Sequence, residues 1–79
     1  MHVKVKYFAM LREKAGKQEE MIEGNFNNLE DLYIHLQSKY QFELPASMIQ
    51  VAVNDEFSKL TSPLIDGAQV VFIPPVAGG

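Results

Sequence analysis

Residues 68–79 read AQVVFIPPVAGG, and this stretch sets the reading of the whole chain. Residues 68–73 form an apolar run that suits a buried strand, with Val70 and Phe72 on one face and Val71 and Ile73 on the other. Pro74 and Pro75 follow. They lack backbone N–H groups, so a sheet ladder stops there, and each holds the preceding residue in an extended conformation. The chain therefore leaves the sheet stiffly. From Pro74 to Gly79, six residues at about 3.3 Å each reach roughly 20 Å. Gly78 and Gly79 carry no side chains, so they fit a channel too narrow for a Cβ and approach a partner's backbone closely. The α-carboxylate of Gly79 is the one reactive group at the tip, and a carboxylate is a poor electrophile until it is activated.

Moving back from the tail, Asp66-Gly67 is a strong turn signal. Residues 57–67 (FSKLTSPLIDG) form an irregular connection, with room for a short strand near 57–60. Residues 49–55 (IQVAVND) read as a strand with Ile49, Val51 and Val53 inward. Residues 27–40 (NNLEDLYIHLQSKY) are the main helix. Asn28 caps it, and Glu30 and Asp31 lie in the first turn, where the helix dipole favours negative charge. Leu29, Leu32, Tyr33, Leu36 and Tyr40 form its apolar stripe, Lys39 sits at the end favourable to a cation, and Pro45 bars simple continuation. Residues 17–23 (KQEEMIE) read as a polar strand at an edge or in a hairpin-like return, ended by Gly24. Residues 9–16 (AMLREKAG) read as a short helix closed by Gly16, which tolerates a left-handed C-terminal conformation. Residues 2–8 (HVKVKYF) alternate with period two: Val3, Val5 and Tyr7 share one face, and His2, Lys4, Lys6 and Phe8 the other. One sheet with its apolar face covered by one long helix is the economical arrangement, an α+β fold of two layers.

The chain has 79 residues, enough for a single domain with a thin core. It has no cysteine, so disulfides, thiolate nucleophiles and Cys-ligated metals are excluded. A net charge of −3 argues against a nucleic-acid partner, which needs a basic stripe to neutralise phosphates. No apolar stretch approaches the length of a membrane span, and the alternating start is unlike the continuous apolar segment of a signal peptide. The expectation is a cytoplasmic protein with no membrane association.

Catalytic side chains are scarce. The two histidines, His2 and His35, have no Ser or Asp spacing that suggests a triad. Glu19 and Glu20 are adjacent on a strand and point to opposite faces. The glycines match no phosphate loop or dinucleotide pattern, and no ligand cluster marks a metal site. Two readings of the tail remain open: a device, or a frayed terminus. A similar choice applies to Phe8, Phe57 and Ile73. They converge near the base of the tail as an exposed apolar patch flanked by lysines, of the kind that marks protein partners, or Phe57 folds onto a satellite core and Phe8 packs under the short helix.

The stretches VKYFAMLREKAG, VAVND and PLIDGAQVVFIPPVAGG resemble the small subunit of molybdopterin synthase, the MoaD family of sulfur carriers. The likeness runs through nearly the whole chain, and the DG…V.F.PPV.GG ending is its specific part. Gly-Gly alone also fits ubiquitin or the thiamine-pathway sulfur carrier, and the Pro-Pro step favours the molybdopterin branch. The resemblance implies a ubiquitin-like β-grasp fold, with residues 1–79 as a single domain and 74–79 as an extended C-terminal tail.

It further implies that the chain binds no cofactor and is a non-catalytic sulfur-donor subunit of a transferase complex. An E1-like adenylyltransferase of the MoeB kind uses ATP to adenylate Gly79, and a sulfur donor protein converts the acyl-adenylate to a thiocarboxylate. The tail then enters a MoaE-like large subunit in a complex of two small and two large chains. There its sulfur passes to precursor Z, cyclic pyranopterin monophosphate, to build the dithiolene of molybdopterin. Gly79 is then the acyl and sulfur carrier, Gly78 the narrow step behind it, and Pro74, Pro75, Val76 and Ala77 line the partner's tunnel. Phe8, Phe57 and Ile73 fall where the family has apolar contacts to the large subunit; the family pattern has Leu in place of Phe57 and Phe in place of Ile73. A ubiquitin-like modifier of protein lysines needs the same tail, and a plain binding module needs none of it.

Overall fold

The computed structural model describes residues 1–75. Five strands and two helices succeed one another as β1 (His2–Tyr7), α1 (Ala9–Ala15), β2 (Glu19–Glu23), α2 (Leu29–Tyr40), β3 (Gln50–Val53), β4 (Glu56–Ser58) and β5 (Gln69–Ile73), with a 3₁₀ turn at Ala46–Met48. They form one mixed sheet of order β2-β1-β5-β3-β4, with α2 across one face: the ubiquitin-like β-grasp. β1 and β5 are parallel and central, with Tyr7 opposite Phe72, and the outer pairs are antiparallel.

The period-two pattern of β1 becomes its burial pattern. Val3, Val5 and Tyr7 lie in the core, joined by Val70 and Phe72 of β5, Val51 of β3 and Ile22 of β2. The stripe of α2 closes that core with Leu29, Leu32, Tyr33 and Leu36, while Tyr40 is only partly buried at the helix end. Asn28 caps α2 by accepting a 2.8 Å bond from the Asp31 N–H. Two further helix-start N–H groups, of Leu29 and Glu30, donate to the carbonyls of Ser62 and Leu60, which ties the irregular 59–68 connection to the helix.

One boundary, set by a turn, differs from the sequence expectation, and the two helix ends agree with it. The short strand falls at Glu56–Ser58, slightly before the 57–60 span, because Asn54 and Asp55 both adopt positive φ (50° and 72°) and make a two-residue hairpin turn directly after β3. Helix α2 ends at Tyr40, as its sequence pattern implies, and is closed by Gln41, a left-handed residue with φ 58°. Helix α1 stops on Gly16 at φ 75°, where its N–H bonds the Arg12 carbonyl.

Candidate functional site

The parallel pairing of β1 with β5 decides where the C-terminal segment leaves the sheet. Because Tyr7 faces Phe72, the exit after Ile73 lies beside Phe8 and the start of α1. Pro74 is buried and Pro75 exposed, so the body holds the first proline and releases the second. Val76, Ala77, Gly78 and Gly79, the rest of the expected tail, lie outside the described residues.

Two of the exposed apolar residues, Met21 and Phe57, lie on the face of the sheet opposite α2. The register aligns Phe57, Ala52, Val71, Lys6 and Glu19 in one row across all five strands, and the next row toward the exit holds Gln50 and Ile73. Phe57 is 76% exposed, so it does not fold back onto a satellite core. Phe8 is 49% exposed, and Ile73 is half-buried. Phe57 and Ile73 are bridged by Ala52 and Val71, two residues that sequence reasoning left out of the patch although the alternation of β3 and β5 assigns them to the same face. Phe8 is followed by Ala9, whose φ of 49°, a conformation unusual for alanine, swings the chain from strand into helix.

A polar network supports the end of the sheet from which the tail departs. Glu20, next to Val5 on the core face, accepts hydrogen bonds at 2.5 Å from both the Tyr7 and Tyr40 hydroxyls on one carboxylate oxygen. Lys17 and Lys39 stand 3.5 and 3.8 Å from its other oxygen. Burial would raise the Glu20 pKa, but the two hydroxyl donors and the two lysines outweigh it and hold the carboxyl below its ordinary value. Burial, then the adjacent carboxylate, pushes the Tyr7 hydroxyl far up, so it stays protonated and donates. Burial likewise pushes Tyr33 up to about 12, and its hydroxyl donates to the Leu44 carbonyl. On the outer face Lys4 and Glu19 pair at 2.7 Å, and the hydrogen bond from Lys4 lowers the Glu19 pKa.

The two histidines lie apart. His2 sits 3.5 Å from Glu23, and the His35 ring packs against Phe26. Among the described residues no three His, Asp or Glu side chains gather as a metal site requires. No helix among them is long and apolar enough to cross a membrane. The arrangement suits docking and delivery: an exposed aromatic and aliphatic strip that leads to the exit of the C-terminal segment.

The ThiS family matches residues 5–79. The molybdopterin synthase sulfur carrier subunit of Mycobacterium tuberculosis is 38% identical over 80 residues, with 98% of this chain and 96% of the relative covered. Among solved structures, a putative molybdopterin converting factor subunit 1 from Pyrococcus furiosus is 32% identical with a TM-score of 0.78, covering 96% of this chain and 99% of that one. The complex of subunits 1 and 2 of the molybdopterin-converting factor from Helicobacter pylori contains a chain that is 30% identical with a TM-score of 0.67, and each chain is covered in full.

Proposed function

The chain belongs to the ThiS family, and from that premise we propose that it is the sulfur-carrier subunit of a molybdopterin synthase. The observation that supports this most is the reach of the family match through residue 79, on a fold whose last strand ends beside an exposed apolar strip. In this reading the Gly79 carboxylate attacks the α-phosphate of ATP on an E1-like enzyme and releases pyrophosphate. The resulting acyl-adenylate is a mixed anhydride and an acylating agent. A sulfur donor protein displaces AMP from it and leaves a thiocarboxylate, whose sulfur is a good nucleophile. The tail delivers that sulfur within a large subunit to precursor Z. A dithiolene contains two sulfurs and one thiocarboxylate carries one, so each molybdopterin requires two deliveries. Pro74 to Ala77 line the partner's tunnel, and Phe8, Phe57 and Ile73 dock the body against the large subunit. None of these steps asks for a catalytic side chain on the carrier, and no cofactor is held by it.

Mass spectrometry of the intact protein from cells tests the carrier chemistry, which requires a form with one C-terminal oxygen replaced by sulfur. Co-purification with a large subunit assigns the molybdopterin route. Deletion of Gly79 should leave folding intact and abolish sulfur transfer; normal transfer by the truncated chain refutes the proposal. An isopeptide-linked ladder on denaturing gels, with no thiocarboxylate, would favour the protein-modifier reading instead.

A further inference from the structure

The cations beside the exit are distributed unevenly in a way the carrier chemistry does not explain. The chain as a whole carries −3, yet β1 places Lys6 opposite Val71 near the end of β5, and α1 places Arg12 in the same cleft as Lys6 and Phe8. Lys4 is engaged by Glu19 at 2.7 Å. Among the described residues no carboxylate lies within ion-pair distance of Lys6 or Arg12. Both line one shallow cleft together with Tyr7, Phe8, Gln18 and Glu19. Lys6 also stands in the same cross-strand row as Val71, Ala52 and Phe57, so the cleft continues the apolar strip without a break.

We propose that Lys6 and Arg12 form a cationic rim that docks onto carboxylates of the large subunit and sets the orientation in which the apolar strip meets it. The inference rests on the sulfur-carrier reading above. An apolar strip alone allows sliding and rotation, because burial of apolar area is non-directional. Charges at one end remove that freedom and steer the encounter. Arg12 is suited to the task because its planar guanidinium meets a carboxylate in a two-pronged geometry that an ammonium cannot reproduce. The partner is acidic protein rather than nucleic acid: two cations flanking an apolar strip on an acidic chain, with Glu19 in the same cleft, are too few to neutralise a phosphate backbone. A competing role for Arg12 is purely local, because it lies in the last turn of α1, where a cation complements the helix dipole. That role predicts a change in folding stability and none in salt-dependent binding.

The experiment compares the full-length chain with K6E/R12E and K6Q/R12Q variants by titration calorimetry and stopped-flow mixing against the purified large subunit, at low and high salt. The urea midpoint of each variant is measured alongside. The expected result is an unchanged midpoint, with affinity at low salt reduced by about ten-fold or more in the charge-reversed variant, mostly through slower association. The gap should narrow at high salt, because screening removes the electrostatic advantage of the native chain. The neutral variant should fall between the two. Native affinity and native salt dependence in both variants overturn the rim while leaving the carrier reading intact. Failure of the native chain itself to bind the large subunit overturns both. A lowered urea midpoint with unaltered binding assigns Arg12 to the helix and overturns the rim.

Discussion

Replacing Glu20 by Gln tests whether the carboxylate beneath the exit pins strand to helix. The substitution keeps the shape and removes the charge. Glu20 accepts from Tyr7 and Tyr40 on one oxygen, and its side chain is only 13% exposed. A hydrogen bond to a charged acceptor contributes roughly 1.5–3 kcal/mol and one to a neutral acceptor roughly 0.5–1.5, so each bond loses about 1 kcal/mol. The contacts to Lys17 and Lys39 add little, because both lysines are close to half exposed. The expected cost is about 2 kcal/mol, against a total of about 4–12 kcal/mol for a chain of this length. With a urea slope of about 1 kcal/mol/M, the midpoint should fall by roughly 2 M. Glu20→Ala should cost more, because Tyr7 is 1% exposed and its hydroxyl would lose its acceptor inside the core. Equilibrium urea unfolding followed by far-UV circular dichroism measures all three proteins. A Gln variant with the native midpoint would refute the reasoning, and so would an Ala variant no worse than the Gln one.

The same network predicts the pH dependence of folding. The Glu20 pKa is lower in the folded chain than its ordinary value of 4.5, so its contribution is present above that value and is lost as pH falls through the folded pKa. Urea midpoints measured down the acid range should drop less steeply in Glu20→Gln than in the native chain. Tyr7 works with the opposite sign: its pKa is raised on folding, so stability should decline once pH exceeds the ordinary value of 10.0, and Tyr7→Phe should flatten that alkaline limb. Asn28→Ala removes the side-chain acceptor of the Asp31 N–H and should cost about 1 kcal/mol in thermal or urea unfolding. Phe57→Ala should shift stability by no more than about 0.5 kcal/mol, because the ring is 76% exposed, while weakening large-subunit binding by about 2 kcal/mol in calorimetry. Equal effects on folding and binding would contradict the assignment of Phe57 to a docking surface.

Local patterns determined much of this protein. Alternation in β1 and β5, the stripe and cap of α2 and the Gly16 stop of α1 are near-neighbour effects, each settled by the side chains within a few positions. The Pro-Pro step marked the end of the last strand for the same reason. The hairpin at Asn54 and Asp55 was harder to read, because this pair lacks the glycine that usually announces such a turn. The left-handed end of α2 at Gln41 has no glycine either. What only the tertiary structure decided is which strands lie side by side. The parallel β1–β5 pairing joins segments more than sixty residues apart and puts Phe8, Lys6 and Arg12 beside the exit. The β3–β5 register inserts Ala52 and Val71 between Phe57 and Ile73. Glu20 read as an ordinary edge-strand carboxylate until the fold brought Tyr7 and Tyr40 to it from two other elements. Pattern along a chain reports which face a residue occupies. Its neighbours across the sheet follow from how the whole core closes, and that is a property of distant residues together.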